Sequence, residues 1–423
     1  MSTTADWTLL IYIAGDNDLD SFGMKDIKEM KVHGSSEKIN VIVQRDTSRL
    51  GAGTARYRIT KAAGLAKDKV MDLGETNTGD PAVLADFLAW GMKNYPATRT
   101  MAVLWNHGNG WDDTDIYAEA KKRGLSPATR PGAGARRAGP IARGALPGGF
   151  VRRSAAKRRF RGSFFLTAWQ FEKGDGPRRA IAFDDDAQDF LDSVEMKNVF
   201  EAAAKNTGKK FDVIGMDACL MSMVETGVQI RNAATVFCGS QEVEPGDGWP
   251  YERILKELHA TPTMDGKTLA ALIAKQFVAS YGKDEAVTQS SVDLAALDAV
   301  VKAANALGTK LAGVLKKKDM AVRGSISYAR TISQGYEHPD YVDLCDFAVN
   351  LASVWPAAST DAKAIVAAVS ASVFANYATN AKVKRSRGLS IYLPLAKISP
   401  LYANLDFAKG GWGKFLTAYA PKK

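Results

Sequence analysis

The chain has 423 residues, 46% hydrophobic and 9% aromatic, which excludes wholesale disorder. Its three cysteines cannot build a disulfide framework, and no apolar run reaches the roughly eighteen residues that mark a membrane span. A formal net charge of +10 raises nucleic acid as a partner, so where that charge sits must be settled.

Met1 to Trp7 lacks the basic start and apolar stretch of a signal peptide, which predicts a cytoplasmic product as written. A leader already trimmed would make it a secreted one. Thr8 to Ala14 is a near-continuous apolar run, as a strand buried on both faces requires, and it enters Gly15-Asp16-Asn17-Asp18. Asn40 to Gln44 repeats the pattern, and Tyr57 to Thr60 with Val70 to Leu73 read as a short hairpin. Asp80-Pro81 opens a helix with an acceptor at the N-cap and proline at the first turn. Leu84, Phe87, Leu88 and Met92 share its apolar face, and Tyr95-Pro96 closes it. Thr100 to Trp105 is the next strand, ending at Asn106-His107-Gly108.

Further strands are expected at Ile181 to Phe183, Phe211 to Met216, Thr235 to Gly239 and Gly388 to Leu393. Helical patterns follow Asp184-Asp185-Asp186 through Ala204, resume near Ser222, and include Thr268 to Tyr281. Alternating apolar runs and helical patterns predict an α/β fold with a mostly parallel sheet and crossover helices.

Between Lys121 and Arg179 there are 16 Lys and Arg against two acids, Glu172 and Asp175, a surplus of 14 that leaves the remainder at −4. The body of the protein is thus mildly acidic, which argues against nucleic acid. From Lys121 to Arg161 there is no Asp or Glu, and Gly, Ala and Pro fill most of the rest. Such a stretch buries too little apolar area to offset chain entropy and is expected to be a mobile loop. A linker or activation loop, a polyanion-binding arm, and out-of-frame translation of GC-rich DNA all remain open readings. The chain divides into residues 1–120 carrying His107, the basic insert 121–179, residues 180–394 carrying Cys219, and a C-terminal extension 395–423.

In an open parallel sheet, chemistry collects beyond the carboxyl ends of the strands. His107 and Cys219 both stand at such ends. A cysteine nucleophile needs an imidazole partner, which can be distant in sequence, and a helix N-terminus after Cys219 would further favour the thiolate. Gly108 allows close backbone approach, so its N–H and that of Cys219 are candidates for an oxyanion hole. A buried structural thiol is the alternative for Cys219. Cys238 and Cys345 read as core, and His33, His259 and His338 as surface or capping residues. No zinc, Walker or dinucleotide motif is present. Asp16-Asn17-Asp18-Leu19-Asp20 starts like an EF-hand, but Ser21 and Ile27 stand at its sixth and twelfth positions. Asp184, Asp185 and Asp186 read either as hard-cation ligands or as acids at a helix start.

Two blocks are recognisable: Leu104-Trp105-Asn106-His107-Gly108-Asn109-Gly110-Trp111 and Asp212-Val213-Ile214-Gly215-Met216-Asp217-Ala218-Cys219. Together with Trp7 to Asp20, Glu242 to Tyr251, Tyr341 to Phe347 and Ser386 to Pro394, they resemble the clostripain-like cysteine peptidases, relatives of caspases, legumain and gingipains. The resemblance spans almost the whole chain outside the insert. It implies a caspase-like α/β/α sandwich and a catalytic dyad of His107 and Cys219. It also implies peptide or protein substrates with Arg or Lys at P1, held by Asp217 and Asp247, and self-cleavage within the basic insert. No cofactor is required by the dyad, and no metal ligands are assigned. Relatives differ in their need for calcium, so that dependence stays open. No membrane association is expected. A catalytically disrupted protein and a polyanion binder using the insert are the competing functions.

Overall fold

The computed structural model describes residues 4–48, 52–111, 181–184, 187, 189–394 and 397–420. Five parallel strands form its middle, in the order β9 (Ala234–Gly239), β8 (Phe211–Asp217), β5 (Ala97–Trp105), β1 (Ala5–Ile13) and β2 (Ile39–Arg45). Antiparallel strands extend both edges: β3 (Thr54–Arg58) and β4 (Lys69–Gly74) beyond β2, β10 (Thr288–Asp293) and β12 (Val373–Ala378) beyond β9. The sheet is thus mostly parallel at its centre, as expected, with the hairpin at one edge. The antiparallel pair at the other edge has no counterpart in the sequence reading, because Thr288 to Ser291 is a polar run.

Strand periodicity builds the two layers. Trp7, Leu9, Ile11 and Ile13 of β1 face one core and Leu10 and Tyr12 the other, while β5 divides Met101, Val103 and Trp105 from Ala102 and Leu104. The first face is covered by α1 (Asp20–His33), α5 (Tyr251–Ala260) and α6 (Gly266–Ser280), through residues such as Ile27, Leu255 and Phe277. The second is covered by α2 (Pro81–Asn94), α3 (Ser193–Thr207), α4 (Val224–Ile230) and α7 (Leu297–Lys316). Helices on both faces of one sheet make the α/β/α sandwich. Among the described residues no helix is long and apolar enough to cross a membrane.

Local chemistry sets the helix starts. The Asp80 carboxylate accepts from Ala82 N at 2.9 Å ahead of Pro81, which opens α2 as the sequence indicates. α3 starts later than expected. Asp184 ends the short strand β6 (Ile181–Asp184), β7 (Asp189–Leu191) intervenes, and Asp192 caps α3 in a reciprocal box with Glu195. Asp184 is buried and accepts from Thr78 N at 2.8 Å and Ala187 N at 2.7 Å, so it ties two loops together instead of opening a helix. Asp185 and Asp186 lie outside the described residues.

The expected last strand is β13 (Ser390–Tyr392), which pairs antiparallel with β11 (Tyr341–Asp343) in a separate two-stranded sheet. The segment set apart as a C-terminal extension carries α8 (Gly411–Tyr419), whose Trp412, Phe415 and Leu416 are buried in the second core. The insert 121–179 lies outside the described residues.

Candidate active site

β5 and β8 lie side by side and in parallel, with Trp105 opposite Asp217. Two residues beyond each partner stand His107 and Cys219, and both line one cavity of about 270 Å³ at the carboxyl end of the sheet. Its other walls include Leu19, Asn106, Asp217, Glu244, Gly246 and Glu337. The sequence reading placed His107, Cys219, Gly108 and Asp217 at this end, and the fold brings them together.

The histidine loop is clamped at several points. Asn106 Nδ2 donates to Ala14 O, and Tyr341 Oη donates to Asn109 O at 2.6 Å. Gly110 has φ +69°, and a Cβ there would strike Met223 Sδ and the Tyr341 ring. Trp111 is fully buried, with its ring edge-on to Tyr392 and Tyr402 at 4.7 and 4.8 Å. The imidazole itself is 29% exposed, and its Nε2 bonds Asp18 Oδ1 at 2.8 Å. Asp18 escaped the sequence reading, which weighed that acidic stretch only for a metal loop.

The nucleophile candidate sits on a tight turn. Leu220 takes a left-handed φ of +63°, an unusual conformation for a branched residue of the kind that gathers at functional sites. Ser222 then pairs with strand backbone on either side, accepting from Ser390 N at 3.0 Å and donating its own N–H to Ser240 O at 2.7 Å. These extended contacts hold off α4 until Val224, so the helix expected to resume near Ser222 begins two residues later. Glu244 N donates to the thiol, 3.2 Å from Sγ. Gly108 packs against this turn so closely that a Cβ would lie 2.5 Å from Cys219 O and 3.0 Å from Cys219 N.

Acidic groups floor the cavity. Asp217 is buried at the end of β8, and its Oδ2 accepts from Tyr251 Oη at 2.8 Å and Trp249 N at 3.4 Å. Burial outweighs these donors and pushes its carboxyl up to about 6. Asp26 of α1 is buried beside it, accepts from Trp105 Nε1 at 2.7 Å, and is likewise pushed up by burial and then by Asp217. Glu244 is partly exposed as a residue, yet both its carboxyl oxygens are out of solvent. Burial, then the negative charge of Asp217, holds its carboxyl well above the usual range.

Asp247 is placed differently. The turn closed by Gly248 N donating to Pro245 O at 2.9 Å turns it outward, and it pairs with Lys25 of α1 at 2.7 Å on the surface. It is not among the cavity-lining residues. Glu244 faces inward three residues earlier. In the run Gln241-Glu242-Val243-Glu244-Pro245-Gly246-Asp247 the sequence offers three acids, and only the path of the loop tells which one faces in.

The remaining cysteines and histidines fall outside this site. Cys238 and Cys345 are buried in the two cores, as expected. His33 ends α1 near His259, whose Nε2 bonds Gly34 O at 2.9 Å. His338 departs from the surface expectation. It is buried and stacked on Tyr341 at 4.1 Å, and it meets the capping half of the expectation, its Nδ1 accepting from Asp340 N at 3.2 Å.

A sequence model of the clostripain family matches residues 11–126 and 167–412. The chain belongs to the clostripain family. The match breaks only over 127–166, inside the segment read as a basic insert. Among curated proteins, clostripain of Hathewaya histolytica is 24% identical over 400 residues, covering 80% of this chain. The chain spans 65% of that relative's length. Among solved structures, a secreted C11 cysteine protease of Bacteroides thetaiotaomicron in complex with an irreversible peptide inhibitor has a TM-score of 0.62 at 19% identity. That likeness covers 96% of this chain and 99% of the other. An inactive zymogen C11 protease of Parabacteroides distasonis matches at the same TM-score and identity, over 96% of this chain and 98% of its own. At such identity these two likenesses speak to the fold, which is the caspase-like α/β/α arrangement expected of the clostripain family.

Proposed function

We propose that this member of the clostripain family is a cysteine endopeptidase that cleaves after Arg or Lys. The observation that carries the proposal is the meeting of Cys219 and His107 in one cavity floored by Asp217. The Cys219 thiolate attacks the scissile carbonyl, forming the S–C bond of a tetrahedral adduct. Backbone N–H groups of Gly108 and Cys219 hold the oxyanion. His107 gives its proton to the leaving amine as the C–N bond breaks, then takes one from the water that hydrolyses the thioester. Asp18 holds the imidazole by Nε2, so that proton exchange runs through Nδ1. Asp217 binds the P1 cation in the partly dry floor of the pocket, where a charge-assisted contact is strong. Asp247 joins at the rim when a basic side chain displaces Lys25.

None of these steps uses a metal. Calcium would find its ligands in one acidic group. Asp16, Asp46 and Glu75 bring carboxylate oxygens within 4.8 Å of one another, the one such group among the described residues. Peptides and proteins with exposed basic residues are the substrates, and the chain's own segment 121–179 is one of them.

Fluorogenic peptides with Arg, Lys, Asp or Asn at P1 test the proposal, with wild type compared against Cys219→Ala, with and without calcium. Cleavage after Arg and Lys that vanishes in the variant is expected, together with mass-spectrometric cuts between residues 121 and 179. Activity that survives loss of Cys219, or intact chains after long incubation of an active preparation, would remove the nucleophile or the self-processing respectively.

A further inference from the structure

We propose that Glu244 is a second carboxylate for the P1 cation, seated between Asp217 and the Cys219 thiol, where it shares with Asp217 a proton that the cation displaces. The proposal rests on the reading of a basic P1 residue and names a further residue that sets it.

Two independent contacts of Glu244 point this way. Its side chain lines the cavity, and neither carboxyl oxygen meets a donor among the described residues although both are buried. Buried acceptors without donors are costly, and a carboxylate in that state is rare unless something else supplies the charge or the proton. The neighbour of Glu244 is the carboxyl of Asp217, a contact that becomes a hydrogen bond only when one of the two is protonated. Its backbone grips the nucleophile. Glu244 N donates to Cys219 Sγ at 3.2 Å, and Sγ lies 3.6 Å from Glu244 O. One residue thus touches both the pocket floor and the thiol.

The charged and titratable groups around it are Lys25, Asp26 and Glu29 on α1, Asp217 on β8, Cys219 on the turn after β8 and Cys238 on β9. Tyr251 on α5, Tyr281 after α6 and Asp247 in the neighbouring turn stand near it too, and His107 and Glu337 line other walls of the same cavity. Lys25 is the one lysine or arginine among these residues, and it is paired with Asp247 at the surface. The floor of the pocket therefore holds several acids and no buried lysine or arginine. Two facing carboxyls in that setting retain a proton between them, as like charges at close range do. Asp217 titrating up at about 6 agrees with this.

A guanidinium fits what is missing. Its planar fork offers five N–H donors, enough to serve two carboxylates at once, whereas an ammonium offers three from a single point. Entry of the cation expels the shared proton to solvent, so the floor carries one negative charge before and after: two carboxyls with one proton, then two carboxylates with one guanidinium. An uncharged side chain of the same shape would leave the proton in place and gain no charge-assisted contact.

Matched peptides with Arg or citrulline at P1 separate the outcomes, using the full chain as wild type and as Glu244→Gln. Wild type is expected to prefer Arg strongly. In Glu244→Gln the Arg-to-citrulline ratio of kcat/KM falls by roughly 30-fold or more, the loss that follows removal of one partner of a buried charged contact. The citrulline peptide, which brings no cation, is the reference against which the Arg effect is read, so any change common to both peptides cancels in the ratio. An unchanged ratio in a folded variant overturns the role of Glu244 while leaving the basic-P1 reading standing. A wild type indifferent to Arg and citrulline overturns both. Two measurements do not depend on turnover. Calorimetric titration of agmatine into Cys219→Ala at pH 7, in two buffers of different ionisation heat, is expected to reveal proton release that disappears when Glu244→Gln is added. Equal heats in both buffers overturn the shared proton. Iodoacetamide alkylation of Cys219, located by mass spectrometry, is expected to keep its pH midpoint in Glu244→Gln, since the floor carries one negative charge in either form. A midpoint moved to lower pH overturns the shared proton.

Discussion

Two groups of buried carboxylates stand near the carboxyl ends of strands in this fold, and their surroundings differ in one respect. Around Asp46 and Asp184 every loop brings a donor. Asp46 accepts from Thr47 N at 3.0 Å and Thr54 Oγ1 at 2.8 Å, while Thr78 gives both N and Oγ1 to Asp184, at 2.8 and 3.1 Å. Around Glu244 and Asp217 the donors serve only Asp217, and Glu244 has none among the described residues. The first group spends its charge on neighbouring backbone and hydroxyl groups and so fixes loops. The second keeps unsatisfied capacity facing a cavity that also holds a cysteine and a histidine. Burial and carboxyl pKa values raised above the usual range are common to both, so those properties alone do not mark a site. The absence of internal donors does.

The largest effect expected from this difference is on the pocket side. Asp217→Asn should lower kcat/KM for P1-Arg peptides by roughly 100-fold, in line with losing one member of a buried charged contact, and should leave P1-citrulline turnover far less affected. Equal losses on both peptides would place Asp217 in the general scaffold instead. Wild-type activity toward Arg should fall as the pH drops through about 6, because Asp217 must be ionised to hold a cation. Asp217→Asn should lose that limb. On the structural side, Asp184→Ala strips the acceptor from Thr78 N and Ala187 N. Each orphaned buried donor costs about 1–3 kcal/mol, so the melting temperature should drop by several degrees while kcat/KM stays within about threefold. A variant that melts normally but cannot turn over would reverse the assignment of the two groups.

The pH dependence of stability has the same sign for both groups. Asp184, pushed up to about 7, and Asp217, pushed up to about 6, lie above the ordinary aspartate value because burial penalises their charged forms. Their contribution is fully present below the unfolded value near 4 and is lost as the pH rises through 6 to 7. Melting of Cys219→Ala should therefore show stability declining across that window, with the part near pH 6 absent once Asp217→Asn is added. The smallest effect belongs to the surface: Lys25→Ala should change the melting temperature by little, since an exposed ion pair is worth at most about 1 kcal/mol.

How much of this was legible in the sequence depended on whether the signal was local. The central strands could be read because burial on both faces forces continuous apolar runs such as Leu9 to Ala14. Asp80-Pro81 announced its helix by capping chemistry alone. β10 was not legible, since Thr288 to Ser291 are buried by hydrogen bonding to neighbouring loops and not by hydrophobicity. His107, Gly108, Cys219 and Asp217 could be named because strand ends gather at one edge of the sheet. Asp18 and Glu244 could not, because each is aimed by a loop whose path is fixed by distant packing, such as Gly246 against Phe22. The helix expected near Ser222 starts two residues later, at Val224, because Ser222 pairs with Ser240 and Ser390.

Trp111 and Ile181, the described residues on either side of the insert, are both buried in the same core. A cut between them would divide the molecule into two polypeptides joined through the middle of the sheet, where β5 lies against β8 from Met101–Val213 to Trp105–Asp217. The imidazole would then belong to one polypeptide and the thiol to the other, and neither would hold a complete site. Such a processed form would migrate as one particle in native separations and as two bands once denatured. Its working life would be set by how slowly two interleaved halves come apart, a dissociation rate in place of an unfolding rate.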